Sequence, residues 1–174
     1  PDPLFKVSQP TPIHRRSSTL IALALLALMF VLMFFSAWDD TLTFDEIAHI
    51  PAGYSYLTQR DMRLNPEHPP LLKDWAALPL LAFDLNFPKD NPGWNNEVNG
   101  QWTFGYGFLY FAGNDPDLIR HVARGPMMVL VVGLGWFTFS FARKRYGATA
   151  GLIALVLFAL SPNFIAHGRY VTAD

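Results

Sequence analysis

Hydrophobic positions in this chain are concentrated in three blocks. Residues 20–37 read LIALALLALMFVLMFFSA, without a charge, a proline or a glycine. A second uncharged run covers residues 126–142, and a shorter one covers residues 151–160. An apolar helix of about 20 residues crosses the hydrocarbon core of a bilayer. The pattern therefore predicts an all-α integral membrane protein whose transmembrane helices occupy residues 20–37, 125–142 and 148–162.

The first block also allows a second interpretation, a cleavable signal peptide with His14, Arg15 and Arg16 as its basic start. Such peptides have apolar regions of about 7–15 residues, and this run is longer. We therefore favour a transmembrane helix.

Basic residues predict the orientation of the three helices. Arg15 and Arg16 precede the first block, and the sequence Arg143, Lys144, Arg145 connects the second block to the third. Short loops rich in Lys and Arg stay on the cytoplasmic side. Four segments follow: cytoplasmic residues 1–19 and 143–147, and extracytoplasmic residues 38–124 and 163–174.

The large outer loop, residues 38–124, contains a signal for a helix start. Thr43, followed three residues later by Glu46, has the form of a capping box, so a helix should begin near Phe44. Apolar residues then recur at spacings of three and four: Ile47, Ile50, Tyr54 and Leu57. This stripe predicts a juxtamembrane amphipathic helix along the membrane surface, and Pro51 predicts that the helix is bent or broken.

Two polar pairs in the loop are candidates for chemistry. Asp45 and His49, one helical turn apart, are expected to share a face. Glu67 and His68 lie within LNPEHPP, whose prolines enforce a stiff extended segment before a short helix at residues 71–81. A rigid site is one interpretation of Glu67 and His68; a plain surface turn is the other, and composition favours the turn.

The rest of the outer loop is rich in Asn, Gly, Pro and aromatic residues between positions 86 and 114, which predicts a structureless loop. Its aromatic rings suit anchoring at lipid headgroups or stacking on sugars. Arg120, His121 and Arg124 follow, close to the outer membrane surface. Cations at that position suggest an anionic group such as a lipid phosphate, and snorkelling to headgroups is the alternative.

Composition narrows the function classes. Of 174 residues, 51% are hydrophobic and 16% charged, and the net charge is −1. The outer loop contains twelve acidic and six basic residues, a net charge of −6, so nucleic acid is not an expected partner. No cysteine occurs, which excludes disulfides and cysteine metal sites. The three blocks contain no ionisable residue, which argues against a carrier or channel.

Four strings occur in order along the chain: FDEIAHIPAGYSYL, LNPEHPPLLK, IRHVARGPMMVL and SPNFIAHGRYVTAD. Together they resemble the amino-terminal part of bacterial polyprenyl-phosphate-sugar-dependent glycosyltransferases. That family includes protein O-mannosyltransferases and the aminoarabinose transferase of lipid A. The resemblance covers residues 15–174 and implies the C-type glycosyltransferase fold in the bacterial cytoplasmic (inner) membrane.

The resemblance also implies roles for individual residues. Asp45 would be the catalytic base, with Glu46 beside it, and would take the proton of an acceptor hydroxyl that attacks the anomeric carbon of a lipid-linked sugar. The residues implied in substrate binding are Arg169, Arg120 and Arg124 for the leaving phosphate, Asp174 for the donor site, and Glu67 and His68 for a ligand or acceptor contact. A divalent metal is compatible with these residues, but no metal ligand is assigned.

One departure from the family affects the expected function. Family members contain many more spans, whereas this sequence stops just after the second acidic motif. The chain is expected to be too short to act alone. It is therefore either the amino-terminal fragment of a glycosyltransferase or a truncated relative that serves as a non-catalytic subunit. The expected partners are the lipid bilayer, a polyprenyl-phosphate-linked sugar and, in the second case, a larger membrane protein complex.

Overall fold

The computed structural model describes residues 15–172, and in that range it consists of helices and connecting turns, without a strand. Two helices are long and apolar enough to cross a membrane: α1, Arg15–Ala37, and α6, Pro116–Tyr146. The predicted all-helical class is confirmed. The first two apolar blocks are confirmed as parts of helices that are long and apolar enough to cross a membrane. Helix α7, Ala148–Ala159, has 12 residues. It spans about 18 Å at 1.5 Å per residue, so the third transmembrane helix stays a prediction.

Helix α6 extends beyond the predicted span of residues 125–142. It begins at Pro116, where the side chain of Asp115 accepts hydrogen bonds from two backbone N–H groups at 2.9 and 3.2 Å. The connection predicted at residues 143–147 is helical as far as Tyr146, and its basic residues lie in the last turn of α6. Cations there interact favourably with the negative end of the helix dipole.

The segment between α1 and α6, which was predicted as the outer loop, folds into a compact body of short helices that we call the outer body. They are α2 (Phe44–Gln59), α3 (Pro70–Ala77) continued by a 3₁₀ turn (Leu78–Ala82), α4 (Pro92–Asn95), and α5 (Gln101–Tyr106) continued by a π turn (Gly107–Phe111). The short helix predicted at residues 71–81 is confirmed. The structureless loop predicted at residues 86–114 is wrong, because Phe104 and Phe108 from this stretch are fully buried and hold α5 and the π turn in the core.

Helix α2 has the predicted start but different surroundings. The capping box is present: the Thr43 hydroxyl accepts from Glu46 N at 3.4 Å, and the Glu46 carboxylate accepts from Thr43 N at 2.9 Å. Every residue from 46 to 56 is buried within the protein, and the position of α2 along the membrane surface stays a prediction. The predicted apolar stripe packs on Phe104 and Phe108 within the outer core.

Of the bend or break predicted at Pro51, the break is wrong, since α2 runs through this residue. Pro51 removes the N–H that would bond the carbonyl of Ile47. That carbonyl instead faces Gly105 of α5, where a Cβ atom would lie only 2.0 Å from the oxygen. The close approach of α5, which glycine alone permits, covers the position where the proline interrupts the helical hydrogen bonds.

Candidate functional site

Three arginine side chains contact the carboxyl-terminal end of α1, and we call this region the arginine junction. Three consecutive carbonyls each accept a hydrogen bond: Ser36 from Arg169, Ala37 from Arg124 at 3.2 Å and Trp38 from Arg120 at 3.1 Å. The last carbonyls of a helix have no intrahelical donors and carry the negative end of its dipole. Cationic side chains from α6 and from the segment after α8 (Pro162–His167) therefore cap α1.

The centre of the junction is a fully buried ion pair between Arg124 and Glu46. Arg124 Nη2 lies 2.7 Å from Glu46 Oε2, and Arg124 Nε lies 2.8 Å from Oε1. Glu46 also accepts from Thr43 N and, at 3.2 Å, from Val171 N. Arg124 Nη1 donates to Ala37 O, and Nη2 donates to Thr41 O as well as to Glu46. Both charged groups are thus fully occupied by protein partners.

Arg169 forms a second pair in the same junction. Its guanidinium makes an ion pair with Asp40, donates to Ala166 O at 3.0 Å, and reaches the Tyr170 hydroxyl at 2.8 Å. The Tyr170 hydroxyl in turn donates to Asp40 at 3.0 Å. These contacts of Arg169 therefore hold the segment after α8 against the end of α1.

Arg120 differs from the other two arginines because, among the residues that the structure describes, only its Nη2 nitrogen has partners. Nη2 contacts Trp38 O and, at 3.1 Å, the exposed carboxylate of Asp117. Within the described residues its buried Nε has no hydrogen-bond partner. The neighbouring His121 ring packs on Trp38 with centroids 4.6 Å apart. Arg120 is the arginine of the junction that retains unused donors.

A second group of charged residues adjoins the junction at Val171, and we call it the histidine cluster: Asp45, His49, Glu67, His68 and Lys73. The rings of His49 and His68 have centroids 5.2 Å apart. His49 Nδ1 lies 3.2 Å from Val171 O. Burial lowers the pKa of His49, the charges of His68 and Lys73 add to that effect, and the Val171 carbonyl and Asp45 oppose it.

Asp45 is the half-buried carboxylate of this cluster. Within residues 15–172, no hydrogen bond or ion pair engages its side chain. It lies in the first turn of α2, where backbone N–H groups and the helix dipole favour a negative charge. Asp45 therefore keeps free lone pairs in a fixed position, directly beside the occupied Glu46.

Lys73 organises the turn that carries His68. Its ammonium donates to Asn65 O and Oδ1, both at 2.7 Å, to His68 O at 2.8 Å and to the Tyr56 hydroxyl at 3.0 Å. Its side chain is buried, which lowers the pKa of Lys73 to about 8. The sequence interpretation missed this role; a lysine within the apolar string PLLKDWAA was the available signal.

Glu67 belongs to the same turn but faces away toward α5. Its Oε1 accepts from Asn99 at 3.0 Å and from Gln101 at 2.8 Å, and these hydrogen bonds lower the pKa of Glu67. Asn65, with a left-handed φ of 49°, donates its amide to Gln101 as well. The segment that contains Glu67 and His68 therefore forms a turn, as one interpretation of the sequence predicted, and hydrogen bonds hold this turn in place.

The predicted site residues therefore divide between two places. The structure brings Glu46, Arg124 and Arg169 into the junction, with Arg120 at its edge, and Asp45 and His68 into the histidine cluster. Asp174 lies outside the described residues. Among residues 15–172, no group of three or more His, Asp or Glu side chains is arranged to hold a metal ion.

Comparison with models of protein families, with curated proteins and with solved structures finds no match for this chain.

Proposed function

We propose that this chain is a membrane glycosyltransferase, or the amino-terminal part of one, that transfers a sugar from a polyprenyl-phosphate donor to an acceptor hydroxyl on the extracytoplasmic face. The observation that supports this proposal is the difference between two carboxylates in one helical turn. The Glu46 carboxylate accepts hydrogen bonds from Arg124 and from backbone N–H groups, whereas the Asp45 carboxylate, in a fixed position, has no hydrogen bond or ion pair within the described residues. A general base needs free lone pairs and restricted geometry, and Asp45 has both.

In the proposed reaction, the acceptor hydroxyl gives its proton to Asp45 while its oxygen forms a bond to the anomeric carbon. The bond from that carbon to the phosphate oxygen breaks, and its electron pair leaves with the polyprenyl phosphate. Glu46 and Arg124 act as positioning residues, because their pair ties the start of α2 to α6 and to the end of α1. His49 lies one turn after Asp45 on α2, and His68 of the Pro-rich turn packs on His49.

For the leaving phosphate, the proposal assigns Arg120 ahead of Arg124 and Arg169, since Arg120 retains donors that the protein does not use. Beyond Arg120, an apolar groove of about 480 Å³ runs along α6 past Val122 and Val129 and faces Trp75 and Leu78. A hydrocarbon chain fits such a groove. The same proposal places the protein in the bacterial inner membrane, with α7 in the third span and residues 38–124 outside.

The test is sugar transfer in native membranes that contain the wild-type chain or its Asp45→Asn variant at equal abundance. Labelled polyprenyl-phosphate-linked hexose is supplied, and label in protein and lipid acceptors is measured. We expect Asp45→Asn to lower transfer at least about 100-fold. Asp84→Asn, an exposed carboxylate of the same loop, serves as the matched control and should transfer normally. Equal transfer by Asp45→Asn, or none by the wild type, would overturn the proposal.

A second candidate function, a non-catalytic subunit of a larger membrane complex, is favoured by one observation. Arg124 and Arg169, which the family resemblance assigns to the phosphate, are committed to protein carboxylates and carbonyls. The intact mass of the polypeptide purified from its native membrane discriminates the two functions. A mass near 19.6 kDa with stoichiometric larger partners supports the subunit, and a mass several times larger supports a multi-span enzyme.

A further inference from the structure

A pocket of about 450 Å³ lies on the outer body, between the segment 87–91 and the π turn. Its walls include Phe87, Lys89, Asp90 and Asn91 on one side and Gly107 and Phe111 on the other. None of these residues belongs to the histidine cluster or to the arginine junction. The pocket is therefore a separate feature of the molecule.

Hydrogen bonds hold the two walls in place. The side chain of Asn114 accepts from Asn86 N at 2.8 Å and donates to Asn86 O at 2.9 Å and to Phe108 O at 2.8 Å. It thereby ties the segment before the first wall to the π turn. At the other end, Gly107 leaves space for the side chain of Asn91, whose amide nitrogen would lie 2.1 Å from a Cβ atom there. The pocket is preformed.

The π turn directs one aromatic ring outward. Phe108 is fully buried and packs on Tyr54, with ring centroids 5.3 Å apart, whereas Phe111 at the end of the turn is 83% exposed. Single π turns are uncommon, and they occur frequently at functional sites. The second aromatic wall, Phe87, is fixed by contacts with Trp94 and Phe104 at centroid distances of 5.0 Å.

The two charged side chains of the pocket, Lys89 and Asp90, differ from Asn91, whose side chain bonds to Gly93 and Thr103. Lys89 and Asp90 are exposed, and in the described part of the chain neither charged group has a hydrogen bond or an ion pair. Aromatic faces beside a carboxylate and an ammonium suit a ligand with one apolar face and several hydroxyl groups. A pyranose ring has this form: its C–H face packs on phenyl rings, and its hydroxyls donate to Asp90 and accept from Lys89. Hydrocarbon would leave both charges without partners.

We propose that this pocket binds a neutral hexose ring of an extracytoplasmic glycan. The site is distinct from Asp45: the π turn contacts α2 at Tyr54, about 14 Å along the helix axis from Asp45 at 1.5 Å per residue. Sugar binding in the pocket requires no transfer at Asp45. Loss of transfer with retained sugar binding, or the reverse, separates this proposal from the proposed function.

The experiment titrates methyl α-mannopyranoside and methyl β-glucopyranoside into the full chain in lipid nanodiscs and follows binding by saturation-transfer NMR. We expect saturable binding of at least one glycoside, weakened about two- to tenfold in Phe111→Ala, because a ring contact contributes about 0.5–1.5 kcal/mol. Asp90→Asn should also weaken binding. Phe111→Tyr keeps the aromatic face and should bind as the wild type does.

Two matched variants serve as controls. Tyr146→Ala removes a 76% exposed ring at the opposite end of α6, and Glu97→Gln removes an exposed carboxylate from the same outer body. Neither should change the affinity. Absence of saturable binding of both glycosides by the wild type, or equal affinity of Phe111→Ala and the wild type, would overturn the proposal.

Discussion

Glu46 and Asp45 are neighbours in the first turn of α2, and their carboxylates face different surroundings. Glu46 belongs to the arginine junction, where its two oxygens accept from Arg124, Thr43 and Val171 and the pair is completely buried. Asp45 belongs to the histidine cluster, where its carboxylate is half-buried and has no bonding partner among the described residues.

The two regions show that neighbouring charged residues can have different roles. In the junction, opposite charges are paired, and every nitrogen of Arg124 donates a hydrogen bond, so the contacts hold α1, α2 and α6 together. In the histidine cluster, His49 and Lys73 are buried and form no ion pair with a carboxylate of residues 15–172, and their pKa values are lowered. Unpaired groups with shifted pKa values are typical of functional sites, whereas a saturated pair is typical of a structural contact.

The largest effect is expected from breaking the junction. Arg124→Met should lower the free energy of unfolding by about 3–5 kcal/mol, because it leaves the Glu46 carboxylate buried without its cation. The measurement is equilibrium unfolding in detergent micelles. The double variant Glu46→Gln, Arg124→Met is the control and should lose less than Arg124→Met alone. A loss below about 1 kcal/mol for Arg124→Met would mean that the pair does not stabilise the fold.

A smaller effect is expected from Lys73→Met in the histidine cluster. The substitution removes the ammonium that donates to the Asn65 side-chain oxygen and to the carbonyls of Asn65 and His68, at a cost of about 1–3 kcal/mol. Lys89→Met, at an exposed lysine, should change stability by less than about 0.5 kcal/mol in the same unfolding measurement. Equal losses for the two variants would show that the Lys73 contacts are not structural.

The variants Asp45→Asn and Glu46→Gln test the comparison of the two carboxylates most directly, because the two residues are neighbours in one turn of α2. Asp45→Asn should cost at most about 1 kcal/mol, the value of a helix-dipole interaction at an exposed N-terminus. Glu46→Gln should cost clearly more, because Arg124 remains buried without a counter-charge. If both cost the same, the two carboxylates do not differ in role as we infer.

The smallest effect is the pH dependence that His49 contributes. Burial lowers the pKa of His49 below its ordinary value of 6.5, so the unfolded state binds a proton before the folded state does. Stability is therefore retained above pH 6.5 and falls as the pH decreases, by less than about 1.4 kcal/mol per pH unit. Unfolding of the wild type and of His49→Gln is compared between neutral and acidic pH. The variant should lose less stability on acidification; parallel curves would contradict the prediction.

Local sequence signals were sufficient for the long elements. An apolar run long enough to cross a membrane is expected to be helical, since a helix bonds all its own backbone groups, and this is why α1 and α6 could be predicted. The capping box at Thr43 and Glu46 is equally local, because both partners lie within one turn. For the same reason Asp45 and Glu46 could be identified as a carboxylate pair.

Short elements and side-chain partners depend on the tertiary structure. Helix α5 and the π turn have too few residues to be stable alone and persist because Phe104 and Phe108 are buried against α2. The sequence could not show that Pro51 is accommodated by Gly105, nor that Lys73 closes the turn carrying His68.

The sequence by itself determined the helical class, the two long apolar helices and the start of α2, because each depends on residues within a few positions of one another. Only the tertiary structure decided which acidic residue is free and which is paired. Glu46 and Arg124 are 78 positions apart, and Arg169 and Asp40 are 129 apart. Ion pairs of buried groups depend on which surfaces the fold brings together, and no local pattern contains that information.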